Sequence, residues 1–241
     1  MLVLGLDTSS PAVSVGLYRL GSGPDLPGLA VAPADVDRLA ESVVVDGRRH
    51  GELLALGVRD VLAQAGADRR DLGAVVVGLG PGPFTGLRVG LVTAAALADA
   101  LDIPAYGGCS LDAMADATTA RDGVVVVTDA RRKEVYWAQY DRRRRRVAGP
   151  AVDRPDVLAE RLRAQGWLDG DVALVGAGAV LHEATFAGLP VAAEPLHPEP
   201  YGLVLAAAGR VLRREPSELL TPLYLRRPDA ATPGAVKRVT A

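Results

Sequence analysis

The stretch GLGPGPFTGLRVG, residues 78 to 90, is the first candidate for chemistry. Its five glycines suit a loop whose backbone N–H groups converge on a phosphate, a task that usually also needs a nearby cation. The stretch has no lysine, and Pro81 and Pro83 lack the N–H groups such a nest would use. The competing reading is a rigid turn feeding a helix capped by Thr85. Five consecutive arginines, Arg142 to Arg146, follow the strand-like VYWAQY and read as a solvated hairpin tip or as a local phosphate contact. Cys109 has no histidine near it in sequence to make a thiolate and reads as a small packed residue. His50 begins a helix, where a cap or interface hydrogen bond suits it better than catalysis. The pairs Asp68/Asp71 and Asp112/Asp116 read as helix-end and surface carboxylates.

The elements that position these residues alternate between β and α. Leu2 to Leu6 and Val13 to Leu17 are β-rich runs separated by DTSSPA, a hairpin with Asp7, Thr8 and Ser9 at its bend. Residues 20 to 37 are rich in Gly and Pro and predict an irregular excursion before a third strand near Glu41 to Val45. Leu53, Leu54, Gly57, Val58, Val61, Leu62 and Ala65 have helical spacing, and Gly66 ends that helix. Ala74 to Leu79 reads as a strand buried on both faces. A second helix runs from Thr85 to about Leu101, followed by a strand at Ile103 to Gly107 and a short helix capped by Ser110. Near residue 108 the pattern restarts. Val124 to Thr128 and Glu134 to Tyr140 form strands bending at ARRK, then come a helix over Asp156 to Gln165, a strand over Val172 to Val175 and a helix over Gly202 to Arg214. The sequence thus predicts an α/β protein of two related domains facing a cleft, 1–107 and 108–225, with a tail at 226–241.

Composition narrows the classes. The net charge of −2 gives no overall attraction to nucleic acid or acidic membrane, and aromatics at 4% exclude extended base-stacking surfaces. One cysteine excludes an internal disulfide, and the N-terminus lacks the basic region of a signal peptide, so the expected location is cytoplasmic, without a membrane association.

LGLDTSS, HGELL on a helix, GLGPGPFTGLRVGLVTAAALA, TDARRKEVYWAQY and PLYLRRPDA occur in that order across nearly the whole chain. In this they resemble the TsaB (YeaZ) family, non-catalytic partners in threonylcarbamoyladenosine synthesis on tRNA. The resemblance implies an actin-like ATPase (ribonuclease H-like) fold and a scaffold that pairs with a TsaD-like catalytic subunit and recruits a TsaE-like ATPase. It implies no cofactor of the chain's own, ATP being used by the complex. Asp7, Thr8 and Ser9 occupy the place of a first phosphate turn, here vestigial. The corresponding second turn reads Asp129-Ala130-Arg131-Arg132, without the glycines that would let backbone approach a phosphate. TsaD-like subunits hold metal through a His-x-x-x-His pair. No two of His50, His182 and His197 stand four apart, so neither a metal site nor a catalytic residue is expected. The alternative is an active ATP-dependent kinase or carbamoyltransferase of the same superfamily.

Gly86, Gly90, Ala94 and Ala98 recur every four residues and form a flat stripe where a helix can approach closely. One expectation is that the stripe packs on the chain's own sheet. The other is that it belongs to a partner interface formed by His50, Leu53, Leu54, Gly57, Val61, Thr85, Gly86, Leu87, Gly90 and Ala94, with a weak homodimer that the TsaD-like subunit displaces. Arg142, Arg143, Arg144, Arg145 and Arg146 are then the candidate tRNA contact within the complex.

Overall fold

A computed structural model describes residues 1–21, 35–118, 123–167 and 172–226. Most of the sequence-predicted excursion over 20–37, and the tail beyond Arg226, lie outside these residues. Sheet 1 is built from β1 (Leu2–Asp7), β2 (Ala12–Leu20), β3 (Val36–Val45), β4 (Leu72–Gly78) and β5 (Ala105–Gly108), in the order β3-β2-β1-β4-β5. The first three strands run antiparallel, and β4 and β5 join parallel to β1. Sheet 2 takes β6 (Gly123–Asp129), β7 (Val135–Asp141), β8 (Arg146–Asp153) and β9 (Val172–Val175) in the order β8-β7-β6-β9. Its hydrogen-bonding directions repeat those of the first sheet: two antiparallel pairs, then a parallel strand beside the first. The repeat that the sequence predicts is therefore a repeat of topology.

Valine runs explain the central strands. Val75, Val76 and Val77 in β4 and Val124 to Val127 in β6 have no exposed surface, because helices cover both faces of each sheet. On one face of sheet 1 lie α1 (His50–Gln64) and α2 (Phe84–Leu101), which bury Leu54, Val61, Leu91 and Ala94 against Leu4, Leu6, Val15 and Val77. The other face takes α6 (Pro200–Leu212), whose Leu203, Val204 and Ala207 pack on Val3, Tyr18 and Val76. α3 (Ser110–Asp116) lies against α6 and also packs Leu111 and Met114 on Val124 and Val126 of sheet 2, joining the halves. α4 (Pro155–Ala164) and α5 (Ala177–Leu181) cover the remaining face of sheet 2 around Trp137 and Phe186.

Several boundaries differ from expectation. β3 begins at Val36 and pairs with β2 along ten residues, so it is twice the strand expected from Glu41 to Val45. β8 was not expected, since Gly149 and Pro150 break its pattern, but an edge strand needs only half its backbone groups in the ladder. α6 lies in the expected 108–225 unit yet packs on sheet 1, so the cut at 107/108 separates the sheets but not the helices. α2 begins at Phe84 with Pro83 at its cap, which places Thr85 inside the first turn rather than at the cap. Ser110 likewise is the first residue of α3, behind Cys109.

Among the described residues, α2 alone has the length and mean hydropathy to reach across a bilayer. It carries Arg88 and Asp99, however, and buries Gly86, Leu87, Gly90, Leu91, Ala94 and Ala98 within the protein, the pattern of a core helix.

Candidate functional site

The bend after β1 is buried. Asp7, Thr8 and Ser9 are 1%, 2% and 5% exposed, and their polar atoms are all committed to neighbours. Asp7 Oδ1 accepts from the backbone N–H of Ser9 at 2.8 Å and from its hydroxyl at 2.7 Å, while Oδ2 accepts from the Ser110 hydroxyl at 2.6 Å. Burial pushes the Asp7 carboxyl above the usual carboxylate range, against these hydrogen bonds and the nearby His50, which pull it down. Thr8 Oγ1 donates to the Gly86 carbonyl at 2.8 Å and accepts from the Gly90 N–H at 3.1 Å. The helix start that would face an anion is thus tied to the turn itself.

The glycine loop closes the same space. A Cβ on Gly78 would lie 1.8 Å from Asp7 Oδ2, and one on Gly82 would lie 2.1 Å from the Ser9 carbonyl oxygen. The glycines of residues 78 to 90 therefore let the loop press on the Asp7 turn, and Ser110 locks the arrangement by accepting from the Gly80 N–H at 3.2 Å. Sequence reasoning missed Ser110 in this role because its partner lies 103 residues away in the chain. The loop thus packs directly on Asp7 and Ser9, and the space left at this turn opens beside Thr8 and Ser10 instead.

The second turn is open and basic. Arg131, Arg132 and Lys133 all have positive φ, 61°, 52° and 61°, in the left-handed region that side chains rarely adopt. The turn is held by the Ala130 N–H donating to Glu134 O at 3.0 Å and by Arg226, which donates to the Ala130 and Arg131 carbonyls and pairs with Glu134. Two adjoining cavities flank Arg131. One, of about 190 Å³, is lined by Thr8, Ser10, Arg48, His50 and Thr85; the other, of about 270 Å³, by Phe84, Arg132, Tyr136, Tyr224 and Arg226. Arg48, Tyr136, Tyr224 and Arg226 were not singled out from the sequence, although PLYLRR, which supplies two of them, was legible as a landmark.

The small-residue stripe turns inward, which corrects the assignment of its members to a partner surface. A Cβ on Gly86 would lie 2.6 Å from the Thr8 carbonyl oxygen and one on Gly90 2.4 Å from Thr8 Oγ1, and Leu87 and Ala94 are buried. On α1, Leu54, Gly57 and Val61 are buried too, Gly57 against Val15. His50 is half-buried and its Nε2–H donates to the Ser10 carbonyl at 2.9 Å, an internal tie. Of the expected interface, Leu53 is half-buried and Thr85 is exposed. Among the other apolar side chains of these helices, Leu56 on α1 is 44% exposed, and Val92 on α2 is 66% exposed and lines a cavity with Met1, Ile103 and Leu220.

The arginine run caps the β7–β8 hairpin, at the opposite end of β7 from the basic turn. It is less available than its sequence suggests. Arg145 pairs with Asp141 at 2.7 Å, Arg146 with Asp112 at 3.0 Å, and Arg144 donates to the Thr118 carbonyl at 2.9 Å, which leaves Arg142 and Arg143 to project. Burial and the neighbouring Asp112 push the Cys109 thiol up to about 11, so it is protonated at neutral pH.

Comparison with known proteins agrees with this geometry. Residues 44–233 match the family model TsaD, tRNA N6-adenosine threonylcarbamoyltransferase. A Mycobacterium tuberculosis protein described as uncharacterized is 47% identical over 228 residues, covering 95% of this chain and 93% of that protein. The Escherichia coli tRNA threonylcarbamoyladenosine biosynthesis protein TsaB is 29% identical over 245 residues, covering 94% and 95% of the two chains. The structure of YeaZ from Pseudomonas aeruginosa superposes with a TM-score of 0.69 at 26% identity, over 92% of this chain and 100% of that one. The two sheets with their repeated strand order have the actin-like, ribonuclease H-like architecture. The chain belongs to the family of the matching threonylcarbamoyltransferase model, and within it to TsaB (YeaZ).

Proposed function

We propose that the chain is a non-catalytic scaffold of the complex that makes threonylcarbamoyladenosine on tRNA, pairing with a TsaD-type catalytic subunit and recruiting a TsaE-type ATPase. Family membership supplies the pathway. The observation that carries the scaffold reading is the internally bonded first turn: Asp7, Thr8 and Ser9 spend their side-chain polar atoms on one another and on Ser110, Gly86 and Gly90, and the glycine loop packs against the turn. A turn so committed supports structure rather than phosphoryl transfer, and the chain then needs no cofactor of its own.

Partner binding falls to the outer face of α1 and α2. Leu56 and Val92 are large apolar side chains left in water there, as on a surface that another protein covers. The weak homodimer expected from the sequence is assigned to this outer face rather than to the glycine stripe, and the workplace of the complex is the cytoplasm. The decisive experiment is co-purification with the TsaD homologue of the same organism, followed by mass-spectrometric detection of threonylcarbamoyladenosine in tRNA with and without this chain. Full modification without the chain, or no co-elution, overturns the proposal.

A further inference from the structure

We infer that the cavity beside the second turn seats one unpaired nucleotide of an RNA strand. The inference rests on the proposed role in tRNA modification and adds to it a contact surface on this chain.

The chain is poor in aromatic residues, 4% in all, yet Phe84, Tyr136 and Tyr224 meet at this one cavity of about 270 Å³. Phe84 and Tyr224 stack with ring centroids 5.0 Å apart and planes 29° apart, while remaining 38% and 39% exposed. Arg88 holds the pair in place, with its guanidinium carbon 3.8 Å from the Phe84 centroid and its Nε donating to the Tyr224 hydroxyl at 3.2 Å. A rigid, solvent-facing ring of this kind is a stacking platform for a base, whatever its identity.

Tyr136 supplies the polar element. It is 4% exposed, lines the same cavity, and its hydroxyl has no hydrogen-bond partner among the described residues. The ring is buried but the hydroxyl is not among the buried polar atoms left without a partner, so it opens to the cavity as a donor that a ligand can meet. Burial raises its pKa, so it stays protonated and able to donate near neutral pH.

The charge around the cavity suits phosphate. Arg131, Arg132 and Arg226 line the cavity, Arg88 stands against its aromatic pair and Lys133 shares the turn; of these Arg226 pairs with Glu134 and Arg131 lies 3.8 Å from Asp129. The turn that presents three of these cations keeps three consecutive side-chain-bearing residues at positive φ, a conformation that persists only where surrounding bonds enforce it. Arg131 also lines the neighbouring cavity of about 190 Å³, where Arg48 stands on the other wall. Cations thus follow one another across two adjoining cavities, as phosphates do along a strand.

Size favours an RNA strand over a free nucleotide. Pockets that enclose a small ligand usually measure about 300–1,000 Å³, and the cavity at the aromatic pair falls below that range. One base fits on the platform while flanking phosphates lie over Arg131 and Arg132, the mode by which unpaired RNA is usually read.

The test is fluorescence anisotropy of a labelled single-stranded RNA octamer on the purified full chain at low salt, with ATP and tripolyphosphate as competitors. Wild type is expected to bind the octamer more tightly than either competitor. Tyr224→Ala is expected to weaken binding about tenfold or more, Tyr136→Phe several-fold with an unchanged melting temperature, and Arg131→Ala with Arg132→Ala to flatten the salt dependence. Should Tyr224→Ala fail to fold, Tyr136→Phe decides. Absence of RNA binding, aromatic variants that bind like wild type, or ATP binding as tightly as the octamer each overturns the inference. Co-elution of wild type with the TsaD homologue separates the two readings. If it persists while RNA binding is absent, only this inference fails; if it is lost while RNA binds, the scaffold proposal fails.

Discussion

Replacing Gly82 by Ala separates the two uses to which a glycine loop can be put. In a phosphate cradle the glycines keep space free for the ligand, so an added methyl leaves the unliganded protein almost unaffected. In this structure the space is already taken. The new Cβ would lie 2.1 Å from the Ser9 carbonyl oxygen, 2.8 Å from its carbonyl carbon and 2.9 Å from its Cα, all backbone atoms. The loop and the turn must part by about 1 Å to reach an ordinary contact. Overpacking of this sort costs about 1–3 kcal/mol. Displacing Ser9 also loosens its two bonds to the buried Asp7 carboxylate, and one such bond left unmade adds roughly 1–3 kcal/mol. With only one of them counted the sum is about 2–6 kcal/mol, and for a chain of this size the melting temperature should fall by roughly 4–24 °C. Thermal unfolding followed by circular dichroism reads the effect. Gly51→Ala, at the exposed start of α1 with nothing within 4 Å of the added Cβ, is the control and should be neutral to slightly stabilising. A Gly82→Ala protein melting within about 2 °C of wild type would refute the packing argument.

Leu56→Arg with Val92→Arg should leave melting nearly unchanged and abolish co-elution with the TsaD homologue; retained co-elution places the interface elsewhere. Gly90→Arg, by contrast, should prevent stable folding, since its Cβ alone meets Thr8 Oγ1 at 2.4 Å; a well-folded variant would show that the stripe is not core. Cys109 should alkylate about a hundredfold more slowly at pH 8 than an unfolded thiol of pKa 9.0, its rate climbing tenfold per pH unit up to about 11. The same shift makes the native state bind the extra proton, so its stability contribution is full below pH 9 and is lost as pH rises towards 11; a pH-independent alkylation rate between 8 and 10 would contradict it. Arg142→Ser with Arg143→Ser should not change stability, whereas Arg146→Ala leaves Asp112 with the Tyr140 hydroxyl but without its cation and should lower the melting temperature by a few degrees at most, the pair being partly exposed.

The legible parts of the fold were those written in local pattern. Valine runs marked β4 and β6, helical spacing marked α1, and the restart near residue 108 announced a second unit that opens on a hairpin like the first. What escaped was relational. The stripe on α2 is visible as a periodicity, but a helix with Val92, Ala95 and Ala96 on another face is apolar on more than one side, and spacing alone does not say which side meets the sheet. Contact between Gly90 and Thr8 settles it, and that contact spans 82 residues. The return of α6 to sheet 1 is equally a long-range event. β8 was hidden because Gly149 and Pro150 are read as breakers, although the edge of a sheet tolerates both. At the site, the Asp7 turn was located correctly, while its closure required Ser110, contributed from α3.

The two halves keep one topology but have diverged in what their first turns offer a ligand. A phosphate held between two such turns needs donors from both. In the first half, every polar side chain of the bend is already bonded within the protein, and the glycine loop packs on Asp7 and Ser9. In the second, the bend has exchanged small donors for long cations, which reach outward and line open cavities instead of enclosing an anion. The first arrangement joins sheet 1, α2 and α3, since Asp7 and Thr8 at the end of β1 are tied to Ser110 of α3 and to Gly86 and Gly90 of α2 by hydrogen bonds. The second exposes guanidinium groups beside an aromatic pair at the protein surface. One bend is thus a packed joint and the other a basic rim beside an aromatic pair, so ATP binding at the first, RNA binding at the second and co-elution with the TsaD homologue are the measurements that discriminate among the proposed roles.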